Sequence, residues 1–199
     1  KAMKNPDNTR ARRLGIRKVL SASQFVISLF FVITSILMYT QFRYFMGFEY
    51  GFNPKNILNV ELQGTDFDKI SQAFSIVPGV SAISASEYVP ATGRTSGMEI
   101  NHPQTGEVIG FRILSATERF TENMELKFVA GTNLPATTDS TSRSIVVNET
   151  AVSVLGFERP EDVVGQVLIQ TWNKEPLEVV GVVEDFWLKL PIGGDKLEP

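Results

Sequence analysis

VLSASQFVISLFFVITSILMYTQF, Val19 to Phe42, contains no charged residue, and the segment before it carries Lys1, Lys4, Arg10, Arg12, Arg13, Arg17 and Lys18 against one acid, Asp7. At about 1.5 Å per residue this stretch makes a helix on the order of 36 Å long, enough to cross a hydrocarbon core of about 30 Å with some tilt. A cleaved signal peptide has a shorter apolar stretch and small residues at its end, whereas this one runs into the bulky MYTQFRYFMGFEY. Cores of soluble proteins rarely hold so long an uncharged run flanked by bases on one side and aromatics on the other.

Lys and Arg near a membrane segment stay inside, so the basic flank places the amino end in the cytoplasm. Phe42, Tyr44, Phe45, Phe48, Tyr50 and Phe52 then form an interfacial belt on the outer side. The expected organisation is a cytoplasmic basic segment over 1–18, a transmembrane helix over 19–42, an interfacial connector over 43–56 and an outer domain over 57–199.

Charge follows the same division. The chain holds 19 bases and 22 acids, and with seven bases and one acid before Val19 the remainder carries 12 bases against 21 acids, about minus nine. An acidic outer domain excludes a nucleic-acid partner, which needs clustered Lys and Arg, and the basic foot fits anionic membrane lipid instead. Cys is absent, so there is neither a disulfide framework nor a thiolate metal site.

Within the crossing, Ser21, Gln24, Ser28 and Ser35 are spaced three, four and seven apart and fall within about 60° of one helix face. Val26, Phe30, Ile33 and Leu37 lie elsewhere. Small and hydroxyl residues gather where membrane helices approach closely, so this stripe is expected to pack in a helical bundle. The competing reading is that each Ser bonds its own backbone one turn back.

Beyond the crossing the pattern is α+β. ILNVEL (57–62) alternates as a strand, Asp66 to Val77 has helical spacing with Thr65 or Asp66 as cap, and Val80 to Val89 returns as a strand to close a β-α-β unit. Met98 to His102 and Val108 to Ala116 flank a hairpin loop, and a short helix starts at Thr117. Asn133 to Arg143 reads as a mobile polar loop. SIVVN (144–148) is a buried strand whose Asn148 caps a helix ending at Gly156, and PEDVVGQ is a turn or short helix. Gln166 to Trp172 and Leu177 to Phe186 form an antiparallel pair, the second apolar on both faces and so central.

No catalytic, cofactor or metal residue is assigned. A G-x-x-x-x-G-K-[ST] loop, H-E-x-x-H and G-x-S-x-G are all lacking. His102, the sole histidine, reads as a turn residue. Glu184 and Asp185, adjacent on a strand, point to opposite faces and cannot flank one bond. Asn148-Glu149-Thr150 matches a glycosylation acceptor but sits where a cap is needed. Gly47 and Gly51 are explained by turns.

In order, RKVLSASQFVISLFFVITSILMYTQFRYF with GFNPKNIL, Pro78 to Val80, ERFTENMELKFVAGTNL, IVVNETAVSVLGFERPEDVVGQ and VVGVVEDF make the chain resemble the MacB/FtsX-like family of ABC transporter permeases, with its MacB-type periplasmic core domain. Thr132 stands where the family has Arg, and WLKLPIGGDKLEP is a loose version of the family's segment after Asp-Phe. The resemblance implies a periplasmic α/β porter-like lobe made from the two ends of the outer domain, with a β-rich lobe inserted over about 94–132. It also implies a bacterial cytoplasmic (inner) membrane, a separate ABC ATPase subunit, other permease helices or a second permease copy, and in some relatives an envelope partner protein. Further membrane helices would follow, so the chain is expected to be a fragment from the second half of a duplicated permease. The alternative is a single-pass membrane-anchored sensor or assembly module; a full-length hydropathy profile separates the two.

Overall fold

The structure, a computed structural model, describes residues 6–136, 143–189 and 199, with side chains of the first helix described from Gly15 onward. Lys1 and Lys4, the side chains of the bases at 10–13, part of the expected mobile loop (137–142) and most of the tail (190–198) lie outside the described residues. The chain divides into two units, Lys1–Glu49 and Tyr50–Pro199.

The first unit is one helix, α1 (Pro6–Met46), of 41 residues. Pro6 suits the first helical position, where its missing N–H is not needed. Over Gly15–Met46 the helix is long and apolar enough to cross a membrane, and this stretch buries nothing within the protein. Phe42, Tyr44 and Phe45 belong to the helix itself, which outruns the uncharged segment. It ends where the Gly47 N–H donates to the carbonyls of Arg43 and Tyr44, 3.2 Å each.

The second unit is α+β. Its elements are α2 (Phe67–Ser75), β1 (Ser96–Asn101), β2 (Val108–Ile113), α3 (Phe120–Asn123), β3 (Phe128–Gly131), β4 (Arg143–Asn148), α4 (Glu149–Val154), α5 (Pro160–Val163), β5 (Val167–Gln170) and β6 (Pro176–Val183). The strands form one sheet in the order β2-β1-β5-β6-β3, with β4 also on β6. β4 lies parallel to β6 from Arg143↔Leu177 to Asn148↔Val183, while β5 meets its first half and β3 its second, both antiparallel. A strand has two edges, so β5 and β3 share the one that β4 leaves.

β6 is therefore central, as its two-sided apolar pattern requires. Leu177, Val179, Val182 and Val183 are all nearly inaccessible and join Ile100, Phe111, Leu168, Val152, Leu155 and Val163 in the core. Burying a side chain of this size stabilises the fold by about 1.5–3 kcal/mol. α4 and α5 pack on the sheet through Val152, Leu155 and Val163.

Four expectations are corrected. Ile57–Leu62 joins no ladder: its alternation marks a face, but Leu58 and Val60 are exposed and no strand edge meets it. Val80–Val89 contributes only a single bridge, Ser86↔Ala116, because its backbone bonds the turn before α3, with Glu87 N–H to Ser115 O (2.8 Å) and Thr117 N–H to Ala85 O (2.9 Å). The β-α-β unit therefore does not close around α2. The helix between them is real, capped by Asp66 Oδ1 accepting from Asp68 N–H at 2.9 Å, yet none of its residues is fully buried. α3 is one turn beginning at Phe120, and β3 is a strand that its short, glycine-ended sequence FVAG does not announce.

Candidate functional site

On α1 the predicted stripe separates into two kinds of residue. Ser35 Oγ–H donates to Phe31 O at 2.8 Å, satisfying itself as the competing reading required. Outside the 60° sector, Ser23 donates to Leu20 O (2.9 Å), Thr34 to Phe30 O (2.8 Å) and Thr40 to Ile36 O (2.9 Å). Ser21, Gln24 and Ser28, all on the stripe and all exposed, make no side-chain hydrogen bond among the described residues. These three share one face over two turns, while Gln41, also exposed and without a side-chain hydrogen bond among the described residues, lies on the other side of the helix.

In the second unit the groups with chemical potential are occupied by the fold. Thr150 donates to Asp185 through both N–H (Oδ1, 2.9 Å) and hydroxyl (Oδ2, 2.8 Å), so this carboxylate ties the first turn of α4 to the end of β6. Beside it, Asn148 Oδ1 accepts from Ala151 N–H at 3.0 Å as the helix cap. Glu184 pairs instead with Lys127 across the strand end, 3.3 Å, both well exposed. The adjacent carboxylates are divided between a clamp and a surface pair, but they lie just past the end of β6 at Val183 and not on the strand, where the sequence pattern sets them.

His102 closes the β1–β2 hairpin. Its Nδ1 accepts from Gln104 N–H (3.1 Å) and Thr105 N–H (3.3 Å), while its backbone N–H donates to Glu107 O (2.7 Å). Arg159 forks onto Asp162 at 2.7 and 3.2 Å, and that hydrogen bond holds the Asp162 carboxyl below its usual range and raises the guanidinium above its own.

One face of the sheet bounds a hollow of about 710 Å³, walled by Met98, Ile100, Phe111, Ile145, Leu168 and Leu177. Of its polar groups, Arg143 pairs with Glu175 at 3.2 Å and Thr117 Oγ1 accepts from Ala85 N–H at 3.0 Å, while the side chains of Ser144 and Gln170 make no hydrogen bond among the described residues. Among the described residues no cluster of three or more His, Asp or Glu could hold a metal ion.

Two close approaches had no sequence signal. A Cβ on Gly181 would run into the carbonyl oxygen of Thr132 and the Phe128 ring, and one on Gly131 (φ +71°) into the carbonyl of Val180. β3 and β6 meet with backbone against backbone. Asp185 escaped for another reason, its partner being 35 residues away.

No family model matches the chain, and no curated protein matches it by sequence. Among solved structures it is similar to the periplasmic region of MacB from Actinobacillus actinomycetemcomitans, with 18% identity and a TM-score of 0.47 over 68% of this chain and 55% of that one. It is also similar to the extracellular domain of the ABC-type transporter YknZ from Gram-positive bacteria, with 16% identity and a TM-score of 0.45 over 61% of this chain and 59% of that one. The chain thus spans little more than half of each.

Proposed function

We propose that this chain is part of an ABC transporter permease, in which α1 crosses the membrane as one wall of a helical bundle. ATP hydrolysis by a separate cytoplasmic subunit would move that bundle, and the α+β unit outside would move with it, for export or for mechanical signalling across the envelope. The chain itself would do no chemistry.

The observation that carries this reading is the stripe of Ser21, Gln24 and Ser28. A hydroxyl can retire into its own helix, as four others on α1 do, but three polar side chains left over on one face call for a neighbour in hydrocarbon. The ordered resemblance to MacB/FtsX-like permeases supports the same assignment, and the engaged state of Asp185 and Glu184 agrees with a mechanical part.

The test is Gln24→Leu in the membrane-embedded assembly, alone and combined with Ser28→Leu. An interhelical polar contact is worth about 0.6–2 kcal/mol, so recovery of the complex with its ATPase, or ATP turnover coupled to transport, is expected to fall by about 3- to 30-fold. Assembly and coupling unchanged in the double variant would remove the stripe's role and leave the single-pass sensor as the better description.

A further inference from the structure

We infer that residues 50–53 are a clasp that passes a pull from α1 straight into the central strand, bypassing a length of chain too loosely held to transmit it. These first residues of the second unit are fastened twice. Trp187 N–H, just beyond β6, donates to Tyr50 O at 2.8 Å, and Asn53 N–H donates to Met124 O at the end of α3 at 3.0 Å. Both anchor points are themselves held: Met124 is buried, and Asp185, two residues before Trp187, grips the first turn of α4 through Thr150. Gly51 lies between the two bonds with φ +80°, and its backbone runs so close to Asp185 and Phe186 that a side chain there has no room. A turn accounts for the positive φ of this glycine, and the close approach of two backbones accounts for the absence of a side chain.

The chain that follows gives the clasp its importance. Among the described residues, 54–83 make no hydrogen bond to another element; α2, which lies within them, has no buried residue, and Leu58 and Ile76 stand exposed. The next such bond is at Ser84, whose Oγ accepts from Asn123 Nδ2 at 3.0 Å. Without the clasp, a pull arriving through Glu49 would first draw out this whole stretch, and the sheet would feel it only once the stretch was taut. With the clasp, the path from Glu49 to the end of β6 runs through one residue and one hydrogen bond, and the Asp185 carboxylate continues it to α4. Coupling between distant sites needs such an unbroken series of bonds between rigid elements. The inference rests on the transport reading for the source of the pull, whereas the fastening is a property of the second unit alone.

The experiment stretches single full chains in micelles between thiol handles at Glu49→Cys and Trp172→Cys, both exposed, in a chain with no other cysteine. In the parent, the first lengthening is expected to coincide with loss of the sheet. Gly51→Ala should add an earlier step at lower force, of at most about 110–120 Å for the chain from 50 to 84 at about 3.3–3.6 Å per residue. Gly64→Ala puts a side chain on an equally left-handed glycine (φ +81°) with nothing within 4 Å, and should behave as the parent. Amide exchange answers the same question without relying on a variant that folds: in the parent, the Trp187 and Asn53 amides should exchange as slowly as the paired amides of β6. In folded Gly51→Ala both should speed up by about 5- to 150-fold, the ratio that corresponds to an overpacked substitution. An early step in the parent, equal first-step forces in the parent and Gly51→Ala, or parent Trp187 and Asn53 amides as fast as those of 57–62 would overturn the clasp. Load enters through Glu49 and not through the membrane, so a null result for the Gln24 variants removes the source of the pull and leaves these readings unchanged.

Discussion

At the scale of single residues the fold relies on polar side chains that look like candidates for catalysis and are spent on geometry. Asn148 was legible because a cap acts on its own neighbours: an Asn between an apolar strand and a helical pattern has one obvious use. Asp185 was not, because its partner Thr150 lies across the fold. Asn148→Ala is expected to lower the stability of the second unit by about 1 kcal/mol. Asp185→Ala, which leaves the Thr150 N–H and hydroxyl without their acceptor, should cost about 1–3 kcal/mol. Urea unfolding of the two variants, read by the midpoint at constant slope, checks both; an Asp185→Ala midpoint equal to the parent's would show the clamp to be ornamental.

At the scale of elements, what was legible is whatever carries its own period and caps. α1, α2, the β1–β2 hairpin, α4 and the β5–β6 pair all do. Ile57–Leu62 and Val80–Val89 have strand patterns but no edge to join, since pairing is decided by distant backbone and not by alternation. β3 shows the converse, a strand with almost no pattern that pairs because its glycine permits close approach to β6. Gly181→Ala is therefore expected to displace β3, destabilising the unit by about 1–3 kcal/mol as an overpacked substitution. Amide exchange should show the loss at Val129 and Ala130 while Met98 to Ile100 on the far side of the sheet keep their protection. Uniform loosening would mean that β3 does not yield as a separate edge.

For the whole molecule the question is which way it stands in the membrane, and the chain offers an unusually clean way to ask. It contains no cysteine, so any introduced thiol is unique. Arg17 and Lys18 flank the apolar run at one end, and the positive-inside bias predicts that this end faces the cytoplasm. Trp172, in the turn between β5 and β6, is 91% exposed and carries no packing burden. A Trp172→Cys chain in intact cells with a permeabilised outer envelope should react with a membrane-impermeant maleimide, while a Gly15→Cys chain should react only after lysis; nothing lies within 4 Å of a Cβ at Gly15 to hinder it. The opposite pattern would put the basic foot outside and disconnect the domain from any external role. Labelling of both sites in intact cells would mean that α1 lies along the surface or does not insert. Only the expected pattern is compatible with the proposed coupling, in which motion driven by a cytoplasmic ATPase would reach the acidic unit through α1, because that coupling requires the two ends of one helix to be on opposite sides.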